Sequence, residues 1–102
     1  MRKRPFSLHE EPRHISGLLR DWLSHEKAGQ EILSKMVRRT WEKVMGPMVS
    51  RLTGAITMNE TVLTIEILSP VLRTELIAMR SDIMMKLNEE LGEGAVTRLV
   101  LR

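Results

Sequence analysis

The sequence predicts a mixed α+β domain, and three features of its patterning carry that prediction. Apolar residues recur at helical spacing as far as Leu52, alternate with a period of two from about Gly54 to Ile67, and return to helical spacing after Ser69-Pro70. A chain of 102 residues with 42% hydrophobic residues is enough for one core and too short for two, so a single domain is expected.

The first dozen residues mix Arg, Lys, Pro, His and Glu without periodicity, and residues 1–14 read as a flexible basic arm ahead of a domain spanning 15–102. Ser16 suits a helix cap, and Leu18, Leu19, Trp22 and Leu23 give a short amphipathic helix that ends near Ser24 or His25. Ala28 and Gly29 then loosen the chain. From about Gln30 a second helix follows, because Ile32, Leu33, Met36, Val37, Trp41 and Val44 fall on one arc of a helical wheel. Its other face places Glu31 opposite Lys35 and Arg38 opposite Glu42 at the spacing of weak salt bridges.

The stretch TWEKVMGPMVSRLT, residues 40–53, reads as a corner. Gly46 suits the end of a helix, Pro47 cannot continue its hydrogen-bond ladder but fits the first turn of another, and Met48, Val49 and Leu52 supply that extra turn. Trp41, on the apolar arc, is expected in the core. Residues 54–58 then pair with Leu63, Ile65 and Ile67 in a hairpin turning at Asn59-Glu60. Ser69-Pro70 opens a helix that runs to Leu91-Gly92 with Leu72, Leu76, Met79, Ile83 and Leu87 as its core stripe, and Ala95 to Leu101 forms a third strand.

Composition excludes several functions. With no cysteine there is no disulfide framework, thiolate zinc site or thiol nucleophile. The basic start is not followed by the apolar run of a signal peptide, and no stretch is apolar enough for a membrane span, which makes the cytoplasm the default location. His9, His14 and His25 match no metal-ligand spacing, and surface titration is their ordinary role. Glu75 and Asp82 share a polar helix face with no histidine or serine constellation around them. No phosphate-cradling or dinucleotide glycine motif occurs. No enzyme activity, metal or cofactor is therefore expected.

Charge is more informative. The net charge is +3 overall, but residues 1–51 carry 11 basic against 6 acidic side chains while residues 52–102 carry 5 against 7. An anionic partner should meet the first half. Arg2, Lys3 and Arg4 of the arm, with Lys35, Arg38, Arg39, Lys43 and Arg51, are the candidate phosphate contacts, since such contacts need only charge and reach. The competing reading is that the helix cations merely solubilise a face shared with Glu31 and Glu42. Phe6 is the aromatic most available for base stacking. On the last helix Arg73, Ile77, Arg80 and Met84 form a mixed basic and apolar stripe of the kind favoured at protein contacts, or else a widened core face with arginines along its rim.

Trp41, Val44-Met45-Gly46, Leu52-Thr53, Val62-Leu63, Ser69, Glu75-Leu76, Leu87-Asn88 and the run Val96 to Leu101 form a pattern that resembles the DciA-like family, over about residues 18–102. The family was long described only as a domain of unknown function. The resemblance implies a KH-like αββαβ domain, here with an additional short N-terminal helix, that binds DNA and helps to load or operate the bacterial replicative helicase DnaB. Leu72 stands where many relatives hold tryptophan, and Gly46-Pro47-Met48-Val49 does not match the GxxG loop with which KH domains clamp nucleic acid. Three alternatives stay open: a protein-interaction module without nucleic-acid function, an RNA-binding module, and a homodimer formed through the last helix.

Overall fold

The computed structural model describes residues 27–102. The arm and the helix expected from Ser16 lie outside them. Helix α1 (Lys27–Met45) is followed by the short α2 (Pro47–Arg51), the hairpin β1 (Thr53–Asn59) and β2 (Val62–Ile67), helices α3 (Pro70–Ala78) and α4 (Arg80–Leu91), and β3 (Arg98–Leu101). The three strands make one sheet in the order β1-β2-β3, with β1 antiparallel and β3 parallel to β2. A parallel neighbour cannot be reached by a tight turn. Helices α3 and α4 supply the crossover.

The core forms where the helical stripes meet one face of the sheet. Ile56, Met58, Leu63, Ile65, Ile67, Leu99 and Leu101 are buried, whereas Thr57, Asn59, Glu66 and Arg98 at alternate positions are exposed. Strand periodicity of two produces this division, and no described element covers the second face. From α1 come Leu33, Val37 and Trp41, and from α3 and α4 come Leu76, Ile83, Leu87 and Leu91. Ile32, expected in the stripe, is 52% exposed because it sits at the margin of the arc.

The corner forms as expected. Gly46 adopts φ 89°, a backbone angle at which any Cβ is strained, and Pro47 opens α2. Trp41 is fully buried, and its indole Nε1–H donates to Thr53 Oγ1 at 3.0 Å, while that hydroxyl donates to the Val49 carbonyl at 2.7 Å. One side-chain relay thus joins α1, α2 and β1, and it satisfies the polar edge of a ring that could not otherwise be buried at low cost.

Four expected element boundaries need correction. Ala28 and Gly29 are helical, and Gly29 is buried. The hairpin turns one residue later, at Glu60-Thr61, with Asn59 still paired to Val62; Glu60 takes the left-handed angle φ 58°. The helix from Pro70 to Leu91 is broken at Met79, whose N–H bonds the Leu76 carbonyl in a tightened turn; Met79, expected in the core, is 46% exposed. No proline or glycine breaks it. The break serves packing, since α3 lies against β2 and β3 while α4 lies against α1 and β3, and one straight rod could not follow both.

The last strand starts at Arg98, three residues later than expected. Ala95 and Val96 are nonetheless buried, and the Asn88 side chain takes the place of a strand partner: its Nδ2–H donates to the Val96 carbonyl at 3.0 Å and its Oδ1 accepts from Val96 N–H at 2.8 Å. A primary amide carries a donor and an acceptor side by side, so it can pair with backbone as another backbone would.

Candidate nucleic-acid and partner interfaces

The basic residues of α1 do not form one surface. On a helical wheel Lys27, Lys35 and Arg38 turn toward β1, whereas Arg39 and Lys43 turn toward α4. Lys43 Nζ pairs with Glu90 Oε1 of α4 at 2.9 Å, and no ion pair joins Glu31 to Lys35. Arg51 is exposed at the end of α2, and its Nε–H reaches the Pro47 carbonyl at 3.4 Å.

Arg38 has a structural duty that its spacing did not reveal. Instead of pairing with Glu42, its Nη2–H donates to the Gly54 carbonyl at 2.6 Å. Gly54 and Ala55 form an irregularity in the ladder between Thr53 and Ile56. Across the strand pair, Glu66 Oε1 accepts from Ala55 N–H at 3.1 Å, and a Cβ on Gly54 would collide with that carboxylate. The bulge is held from the helix side by a cation and from the neighbouring strand by an anion, and bulges of this kind turn an edge away from further pairing.

Beside the bulge lies an open groove of about 690 Å³ lined by Lys27, Ser34, Lys35 and Arg38 of α1 and Ala55 and Ile56 of β1. Glu31 and Gln30 share its wall. Three cations against one acid leave a positive concavity with apolar footing. Lys27 is the residue missing from the sequence-based set; it lies eight and eleven positions before Lys35 and Arg38, a spacing that returns to the same helix face and could have identified it.

The stripe on the last two helices is divided by the break at Met79. Arg73 is half-buried, and its Nη2–H donates to the Ile67 carbonyl at 2.9 Å, tying α3 to the end of β2. Ile77 is 41% exposed. Arg80 and Met84 instead line a second, smaller groove of about 280 Å³ against β3, whose wall includes Thr97, Arg98 and the strand residues up to Leu101. Arg98, absent from the sequence-based set, enters here because a parallel crossover brings the last strand beside the start of α4.

The three histidines lie outside the described residues, as do Arg2, Lys3, Arg4 and Phe6. Among the described residues no helix is long and apolar enough to cross a membrane. No curated protein and no solved structure matches the chain. A family profile does match, over residues 14–101, that is, all the described residues but the last and part of the sequence before them. The chain belongs to the family described as Dna[CI] antecedent, DciA, a family associated with loading of the replicative helicase.

Proposed function

We propose that the protein is a non-enzymatic replication accessory factor that binds the DnaB-type helicase and DNA together, acting in the cytoplasm. The observation that carries this reading is the family match across residues 14–101. The DNA contact is assigned to the groove between α1 and β1, where Lys27, Lys35 and Arg38 converge, extended by Arg2, Lys3 and Arg4 of the arm. Cations without acidic partners attract phosphate and carry no sequence preference. The contact is therefore weak, non-specific and steeply salt-dependent. Helix, hairpin, helices and strand follow each other in an order compatible with a KH-like domain, but the groove lies between a helix and a strand rather than at a GxxG loop between two helices, a motif that Gly46-Pro47-Met48-Val49 does not match.

The test is capture of the host's replicative helicase on the immobilised protein, with and without single-stranded DNA, alongside fluorescence anisotropy of a labelled oligonucleotide at low salt. The wild-type chain should capture helicase and bind DNA. Lys27→Glu with Lys35→Glu, both exposed, should reduce DNA affinity about tenfold at low salt and leave helicase capture unchanged. Absence of both activities in the wild-type chain sinks the reading.

A further inference from the structure

We propose that the outer edge of β3 is a docking site for an extended segment of a protein partner in which acidic and apolar residues alternate. In a parallel ladder each bonding residue spends both its N–H and its C=O on the same neighbour. Arg102 does so, its N–H donating to Ile65 at 3.0 Å and its carbonyl accepting from Ile67 at 2.7 Å. With Thr64 opposite Val100 and Ile65 opposite Leu101, the bonding residues are Arg98, Val100 and Arg102. The main-chain groups of Leu99 and Leu101 therefore face away from β2, and no described strand takes them. With Leu99 2% and Leu101 7% exposed they lie at the floor of the groove, so an added strand must part the Arg80 and Met84 side chains from β3.

That edge opens into the groove of about 280 Å³ bounded by Arg80 and Met84. An added strand would satisfy the main-chain groups and place its side chains alternately on two sides. On the solvent face of the sheet its neighbours are Arg98, Val100 and Arg102; on the helix side they are Met84 and the apolar flank of the groove, with Arg80 at the mouth. Arg80 and Arg98 are exposed and, among the described residues, form no ion pair. Charge and polarity together select acidic residues for the first side and apolar ones for the second.

Other occupants fit less well. A second copy pairing edge to edge would set the Arg98 and Arg102 rows of both chains against each other, and like charges across a strand pair are destabilising. Nucleic acid could meet Arg80 and Arg98 through its phosphates, but it has no alternating N–H and C=O groups to pair with the strand edge, and the groove has no aromatic side chain on which a base could stack.

The proposal does not rest on the helicase reading, and its test uses no helicase. The probe is an acetylated ten-residue peptide alternating Glu and Val, titrated into the full ¹⁵N-labelled chain, with binding read by anisotropy and amide hydrogen exchange read residue by residue. Expected is sub-millimolar binding that slows exchange at Leu99 and Leu101 at least about tenfold, with little change at Val100 and Arg102. Arg80→Glu with Arg98→Glu should weaken binding about tenfold while leaving the exchange pattern of the free protein intact. Two further peptides, one N-methylated at every valine and one at every glutamate, should differ: only one set of N–H groups faces the strand, so one peptide must lose binding.

Equal binding by all three peptides, or none at millimolar concentration, overturns the proposal. So does protection of Leu99 and Leu101 without peptide: if independent of protein concentration, another segment of the chain occupies the edge, and if it rises with concentration, a second copy does. Protection by a thymidine oligonucleotide and not by the peptide would assign the edge to nucleic acid instead.

Discussion

The two edges of the sheet are built in opposite ways. At β1 the backbone is bulged, its Gly54 carbonyl is taken by Arg38, its Ala55 N–H is taken by Glu66, and α1 lies alongside. At β3 the backbone runs regularly for four residues, and Arg80 and Arg98 form no ion pair among the described residues. An unprotected edge is a liability in a free-standing domain, and proteins usually blunt it. Spending charged side chains to close one edge while leaving uncommitted ones at the other points to different uses: one edge is a structural seam beside a phosphate-attracting groove, the other a place where chain can be added.

The largest expected effect lies at the sealed side. Trp41→Ala empties the centre of the corner and leaves Thr53 without its indole partner, so stability measured by urea unfolding should fall by about 3–5 kcal/mol. If the variant unfolds at the wild-type midpoint, the corner is not what holds β1 against α1. A smaller loss is expected from Asn88→Ala, which orphans the Val96 N–H and carbonyl beneath the start of β3. The cost should be about 2–3 kcal/mol, with faster hydrogen exchange concentrated at residues 95–99. An equal loss of protection across β1 would show that the two edges are one cooperative unit.

Much of the sealed side was legible in the sequence, because it depends on local signals: the apolar arc that includes Trp41, the Gly46-Pro47 punctuation, and the alternation from Leu63 to Ile67. The break at Met79 was not legible. Leu76 and Ile83 stand seven apart, a spacing that a continuous helix satisfies as well as a broken one, and only the requirement to pack on both β3 and α1 selects the break. The same limit governed the candidate sites. Charge spacing placed Lys35 and Arg38 on one face, but it paired Arg38 with Glu42, when the stronger claim came from a carbonyl 16 residues away. Arg98 and Arg80 are remote in sequence, and only the crossover joins them.

The comparison sharpens when the same substitution is made at each edge. Arg38→Met keeps the aliphatic stem and deletes the charge-assisted bond to Gly54, so it should cost about 1.5–3 kcal/mol of stability. Arg80→Met removes an exposed side chain that forms no ion pair among the described residues and should change stability by less than about 0.5 kcal/mol. In anisotropy at low salt Arg38→Met should also weaken oligonucleotide binding, whereas Arg80→Met should not. A reversed pattern would exchange the roles assigned to the two edges.

The smallest effect is expected at the turn that joins the two halves of the hairpin. Glu60 adopts φ 58°, where its Cβ crowds the backbone, and no other non-glycine described residue takes a positive φ. The chain accepts this strain because a two-residue connection between twisted antiparallel strands needs a left-handed position. Asparagine tolerates that conformation better, so Glu60→Asn should stabilise the fold by about 0.5–1 kcal/mol, read as a higher urea midpoint with an unchanged slope. Because the turn also touches the far edge, where Thr97 N–H donates to the Thr61 carbonyl at 2.9 Å, the gain should reach β3 as slower amide exchange at Thr97. A gain confined to residues 57–64 would mean that the open edge moves independently of the hairpin, which would leave β3 freer still to accept another strand.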